Sequence, residues 1–176
     1  MRRSIVTIVV AVLLIVAVIV VMVINFSKYK ENKYSKYYDI AEEKIIEQEK
    51  TSEDLNEYKT FVVMEKYGAK EENEKLYVYA YVCAENYYKD ETGNVILHSG
   101  FSIPHRFEFV SGEYVGLTIP QDGSYYEESL NEMYPLSVKM QMDMSNDRYN
   151  LGDKTKQLAA DYYGVSVEDI KYKTAE

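Results

Sequence analysis

Two histidines, one cysteine and a turn serine are the residues of this chain best able to do chemistry, together with three acidic pairs. His98 and His105 bracket the stretch "HSGFSIPH". Metal sites gather His, Cys or carboxylate ligands at short, recurring spacings. Neither Cys nor carboxylate accompanies these two histidines at such a spacing, so the stretch reads as a strand connection. Cys83 lies inside the apolar run "LYVYAYVCA" and reads as a small core residue. A nucleophilic thiolate would need a cationic, accessible setting that its neighbours do not provide. Ser124 in "DGSYY" lacks the G-x-S-x-G context of a nucleophile elbow. A capping box with Glu127 accounts for it instead. Glu42-Glu43, Glu71-Glu72 and Glu127-Glu128 are adjacent in sequence, which suits solvated surfaces better than an opposed acid and base. No phosphate-cradling glycine loop is present. The expectation is a non-enzyme with no metal and no cofactor. A formal charge of −9 also argues against a nucleic-acid partner, because phosphate binding needs a clustered positive field.

Tyrosine is the remaining resource: 19 of the 176 residues, in a chain with no tryptophan. In "LYVYAYVCAENYY", Leu76, Val78, Ala80, Val82 and Ala84 alternate with Tyr77, Tyr79, Tyr81 and Cys83. A row of phenol rings can stack on sugars or grip a protein, since each ring is apolar and carries a hydrogen-bonding tip. The same row can pack a sheet against helices where no tryptophan is used. Tyr77, Tyr79 and Tyr81 are the candidate interaction surface, and both readings stay open here.

The elements that would position this row can be read from periodicity. "KTFVVMEKY", "LYVYAYVCAENYY", "GFSIPHRFEFV" and "YVGLTI" alternate with period two and read as four consecutive antiparallel strands. "KDETGN" and "SGE" supply the turns, with Gly93 and Asn94 able to take positive φ. Pro104, lacking an amide hydrogen, points to an edge position or a bulge. After Pro120, Asp122-Gly123 turns the chain. Ser124 then caps a helix carrying Tyr126, Leu130, Met133 and Tyr134, which Pro135 breaks before "LSVKMQMDM". A last helix runs from about Lys154 to Tyr163, with Gly164 as its left-handed cap. Upstream, Tyr37, Ile40, Ala41, Ile45 and Gln48 form one narrow stripe on a charged helix. The sum is an α+β fold, a four-stranded antiparallel sheet packed against helices, with a cystatin-like or NTF2-like curved sheet as the expected topology.

Residues 5–24, "IVTIVVAVLLIVAVIVVMVI", hold only one polar side chain, Thr7. Twenty helical residues span roughly 30 Å, the thickness of the hydrocarbon core. The run is too long for a cleaved signal and its exit, "NFSKYK", offers no small-residue cleavage site. A transmembrane signal anchor is expected. Arg2, Arg3 and the amino terminus favour a cytoplasmic start, against Lys28, Lys30, Lys33 and Lys36 on the far side. The expected organisation is a cytoplasmic tail at 1–4, the anchor at 5–24, a charged helical stalk and first helix at 25–57, and an extracytoplasmic domain at 58–176. A lone cysteine leaves the redox compartment open.

The block from Phe61 to Val138 carries "KLYVYAYV", "SGFSIPHRFEF" and "IPQDGSYYEESLNEMYP". On these segments, somewhat under half the chain, it resembles a small, uncharacterised family of Gram-positive envelope proteins that are membrane-anchored or lipid-anchored. The resemblance implies a fold unit and a location at the cell membrane, with no catalytic residue to carry over. The tail "LGDKTKQLAADYYGVSVEDI" is similar to the first half of a LysM module in Gly152-Asp153, Leu158-Ala159 and Tyr163-Gly164-Val165-Ser166. Its register is off by one, and too few residues follow Ile170 for the second strand that such a module needs. The tail therefore reads as a packing helix. The functional expectation is a single-pass membrane protein whose outer domain binds an envelope protein partner as scaffold or modulator. The alternative is a module binding cell-wall glycan or a small ligand.

Overall fold

The computed structural model describes residues 2–50 and 58–173, with side chains at 13–21, 33–50 and 58–173. The chain forms two compact units, Met1–Ser35 and Lys36–Glu176. Helix α1 spans Arg2–Lys50, and its residues from Lys36 on belong to the second unit. Among the described residues no helix is long and apolar enough to cross a membrane. The expected anchor at 5–24 lies in part outside the described side chains, as do residues 51–57 of the expected stalk segment.

The second unit is α+β, with a mixed five-stranded sheet. Strands β1 (Lys59–Glu72), β2 (Lys75–Lys89), β3 (Val95–Val110) and β4 (Glu113–Thr118) form the expected antiparallel meander, each paired with its neighbour in sequence. The turns use residues that tolerate positive φ. Asn73 and Glu74 join β1 to β2, Gly93 lies between β2 and β3, and Ser111 and Gly112 join β3 to β4. At the second turn the Asp90 carboxylate accepts from the amides of Thr92 and Asn94 and from both their side chains. Those bonds to Asn94 and Thr92 hold its carboxyl down at about 2.

The sheet departs from the expected four strands by one element. Strand β5 (Lys171–Tyr172) pairs in parallel with Ile96 and Leu97 of β3, which makes the sheet mixed. Two residues are too few to show alternation, so the strand leaves no periodic trace in the sequence.

Helices α2 (Tyr126–Met133), α3 (Leu136–Met144) and α4 (Leu151–Tyr163) follow the meander. The expected Ser124 cap does not form. A single 3-10 turn, Gly123–Tyr125, precedes α2, and Asp122 caps that turn by accepting from the Gly123 amide. Ser124 is consequently inside the turn and exposed. Pro135 separates α2 from α3, and Gly164 closes α4 at φ +69° as its left-handed cap.

The sheet carries a helix layer on each face. Val78, Ala80, Val82 and Ala84 of β2 share one face with Phe107, His105, Ile103 and Phe101, their partners in β3. The C-terminal part of α1 covers it, with Ala41, Ile45 and Tyr38 buried and Tyr37 edge-on to Phe109 at 4.9 Å. The Tyr38 hydroxyl accepts from the Gly68 amide at 2.9 Å and donates to the carbonyls of Gly68 and Tyr79 at 2.9 and 3.2 Å. It thereby holds the β-bulge between Lys66 and Ala69, where Gly68 takes φ +89°. Near the end of α1, Glu49 accepts from the Asn86 side-chain amide at 2.7 Å. The opposite face, bearing Tyr77, Tyr79, Tyr81, Cys83, Glu85 and Tyr87, is covered by α2, α3 and α4.

Candidate functional site

The tyrosine row is brought together as the alternation requires, and its members serve differently. Tyr79 is 2% exposed and lies edge-on to Tyr134 of the α2–α3 junction at 5.3 Å. Burial pushes its phenol up to about 12. Tyr77 is half-buried beneath the Arg106 guanidinium, 5.1 Å from its ring centre. Tyr81 is half-buried and donates to the Ser102 carbonyl at 2.9 Å. Around them Tyr67, Leu130, Met133, Tyr134, Val138 and Met142 form one continuous core. Tyr134 is its hub: its hydroxyl reaches the carbonyls of both Ala80 and His105, at 2.8 and 3.0 Å.

Tyr81 also forms part of an open groove of about 580 Å³ between α2, α3 and the 3-10 turn Asp147–Asn150. Tyr126, Leu130, Leu136, Met140, Arg148 and Tyr149 line it further. Leu136, Met140 and Met144 recur every fourth residue along α3 and stand in solvent, 69%, 55% and 82% exposed. Val138 and Met142, on the other side of the same helix, are buried. Helix α3 is thus apolar on two sides, and among the described residues only the side of Val138 and Met142 is buried in the fold. Tyr149, 72% exposed, lines the same groove and extends the apolar surface. Such an exposed apolar stripe is the kind of surface that protein partners cover.

A second cavity, about 420 Å³, opens over Cys83, Glu85, Gly100 and Ser102. Glu85 accepts from the hydroxyls of Tyr87 and of Thr155 on α4 through the same oxygen, Oε2. Cys83 Sγ lies 4.0 Å from the Thr155 hydroxyl, and burial, then the Glu85 charge, raises its thiol above the ordinary value. This is an unreactive setting.

The other candidates are dispersed. His105 is buried and stacked on Phe107 with ring centres 5.5 Å apart, its Nδ1 3.0 Å from the Ile103 carbonyl. Desolvation drives its imidazole down to about 4, so it is neutral in the core. His98 lies at the far end of β3, beside Tyr58 and 3.2 Å from Lys173 Nζ. The three acidic pairs are exposed on α1, β1 and α2. Among the described residues no three His, Cys, Asp or Glu side chains gather in a metal-holding group.

Sequence periodicity missed Tyr134's bond to two strands, the Glu85–Tyr87–Thr155 cluster and the groove residues Arg148 and Tyr149. Only Glu85 left a signal: an acidic residue at the inward parity of an otherwise apolar and aromatic strand face. Comparison of the chain with protein families, with curated proteins and with solved structures finds no match.

Proposed function

We propose that the chain is a single-pass membrane-anchored protein of the Gram-positive envelope type, and that its Lys36–Glu176 unit is an extracytoplasmic, non-enzymatic interaction domain. It scaffolds or modulates a protein complex at the cell membrane. The observation that carries this reading is the α3 crest of Leu136, Met140 and Met144, an apolar stripe beyond the needs of the core. A partner presenting an apolar helix or loop would bury it, and Arg148 and Lys139 beside the groove could meet carboxylates at its rim.

The anchor is supported by residues 13–21, all apolar in sequence. Leu13, Leu14, Ile15, Val16, Val18, Ile19, Val20 and Val21 are each 50% to 63% exposed. A helix bearing such side chains on every side suits a lipid surrounding. Arg2 and Arg3 favour a cytoplasmic amino terminus and hence an outward domain. The long α1 segment lying across an antiparallel meander is compatible with the cystatin-like or NTF2-like reading and with kinship to the envelope family. Fold alone would not fix the task.

A second reading, binding of cell-wall glycan, draws on Tyr81, Tyr126 and Tyr149 around the open groove. One experiment separates the two. A photo-crosslinker replaces Met140 in intact cells, and a membrane-impermeant reagent labels a tag placed after Glu176. Capture of one defined membrane protein, lost in Leu136→Ser/Met144→Ser, supports the scaffold. Retention on purified wall free of protein, with no cross-linked partner, would move the function to glycan. A tag that reacts only in opened cells would refute the outward orientation.

A further inference from the structure

We propose that the outer edge of β3, between its contacts with β5 and β4, docks an extended peptide that adds to the sheet as a strand and sets a cationic side chain against Glu85. This rests on reading the domain as an interaction module, and it adds a binding mode distinct from the α3 crest. Strand β2 covers one edge of β3 along its whole length, from Val95 to Val110. On the other edge β4 reaches only to Arg106, opposite Thr118, and β5 covers only Ile96 and Leu97. Among the described residues the stretch 98–105 has no strand on that side.

Its backbone polarity follows from Tyr134. One hydroxyl can reach the carbonyls of Ala80 and His105 together only if both point into the space between β2 and β3. Backbone groups alternate along a strand, so those of Gly100, Ser102 and Pro104 point outward, with the parity of Arg106 and Glu108. Pro104 has no amide hydrogen, and the Ser102 carbonyl already accepts from Tyr81. The edge therefore offers the amide and carbonyl of Gly100 and the amide of Ser102. Ser99, Gly100 and Ser102 are exposed. Alternating backbone donors and acceptors at strand spacing are matched by an extended chain, whereas sugars and helices present no such row.

The adjoining cavity specifies a side chain. The Glu85 oxygen Oε2 takes the hydroxyls of Tyr87 and Thr155, and among the described residues Oε1 has no hydrogen bond. The cations at the rim are directed elsewhere: Arg148 to the Tyr149 hydroxyl at 2.9 Å, Lys173 to His98 Nε2 at 3.2 Å. Among the described residues that line the cavity, Glu85 is the one carboxylate. Gly100 lies between it and the open edge. A Cβ there would fall 2.7 Å from the Ala84 carbonyl oxygen and 2.8 Å from Glu85 Cγ, so glycine alone leaves this path clear. A lysine or arginine on the added strand can lie over Gly100 and reach the carboxylate.

The test is a displayed library of random decapeptides selected on the full chain in lipid nanodiscs, with the Glu85→Gln variant as counter-selection. Selected peptides are expected to carry Lys or Arg at one fixed position in a β-prone sequence, and to slow hydrogen exchange at Gly100 and Ser102. Affinity should fall about tenfold for Glu85→Gln, as loss of a charged hydrogen bond implies. N-methylation of alternate peptide amides should abolish binding. Selection of no peptide overturns the proposal, as does binding insensitive to N-methylation. Peptides that protect α3 instead would also overturn it while leaving the interaction-domain reading standing. Binding seen only after removal of Thr174–Glu176 would overturn a partner peptide as occupant in favour of the chain's own tail.

Discussion

Beneath α1, the face of β2 built from Val78, Ala80, Val82 and Ala84 is sealed by small side chains, with Ala41 of the helix fully buried against it. Beneath α2, α3 and α4, the other face of the same strand carries Tyr77, Tyr79, Tyr81, Glu85 and Tyr87 and borders the open groove at Tyr81 and the cavity over Glu85. Small residues let a helix axis approach closely. Long rings hold helices further away, and their hydroxyls must find partners when buried. Tyr134 and Tyr163 satisfy theirs on strand carbonyls, and Tyr87 on Glu85. The α1 face is packed with small aliphatic side chains, and the other combines ring packing with open, polar-lined space.

The largest expected effect removes the hub of the open face. Tyr134→Ala should destabilise the domain by about 3–5 kcal/mol in urea unfolding, the range for deleting a buried aromatic ring. Tyr134→Phe should cost only about 1 kcal/mol, since the two carbonyls keep their strand partners. Equal losses in the two variants would place the hydroxyl rather than the ring at the centre of that face.

Next is the sealed face under acid. His105 titrates near 4 in the fold against about 6.5 unfolded. Between those values the unfolded chain takes up a proton that the native state refuses, so stability falls as pH drops through this window. The total is about 3 kcal/mol, levelling below pH 4. His105→Phe should flatten that slope in urea midpoints measured from pH 7 to 4. An unchanged slope would assign it to other groups.

Overpacking then contrasts the faces directly. Ala80→Leu, under α1, should cost about 1–3 kcal/mol by forcing the helix outward. Its thermal midpoint would drop visibly, and an unaltered midpoint would mean that the sealed face has slack. Smallest is the crest: Leu136→Ser with Met140→Ser should change stability by less than about 0.5 kcal/mol, because neither side chain contributes to the core. A larger loss would make α3's outer side structural and weaken its claim as a docking surface.

Much of this contrast was legible in "LYVYAYVCAENYY", whose strict alternation assigns every residue from Leu76 to Ala84 to its observed face. The turns at Gly93 and Gly112 and the helix stop at Gly164 were legible for the same reason: they are local backbone demands. What stayed hidden was non-local. The bulge at Tyr67–Gly68 reverses the parity of β1, and nothing nearby in sequence shows that the hydroxyl of Tyr38 holds it. Asp122 supplanted Ser124 as cap because the chain enters α2 through a 3-10 turn. The pairing of Thr155 with Glu85 joins residues 70 positions apart. Candidate binding residues such as Arg148 and Met140 are recognisable only once the fold shows which apolar and charged groups the core leaves unused.

The hydroxyl-lined core has a spectroscopic consequence. With no tryptophan in the chain, tyrosine dominates its near-ultraviolet absorbance. Burial raises the phenols of Tyr67, Tyr79, Tyr87 and Tyr134 well above the ordinary value. An alkaline titration should therefore resolve two populations, an exposed group that forms phenolate reversibly and an interior group that ionises only as the sheet comes apart. The protein carries its own optical probe of unfolding, with no label needed.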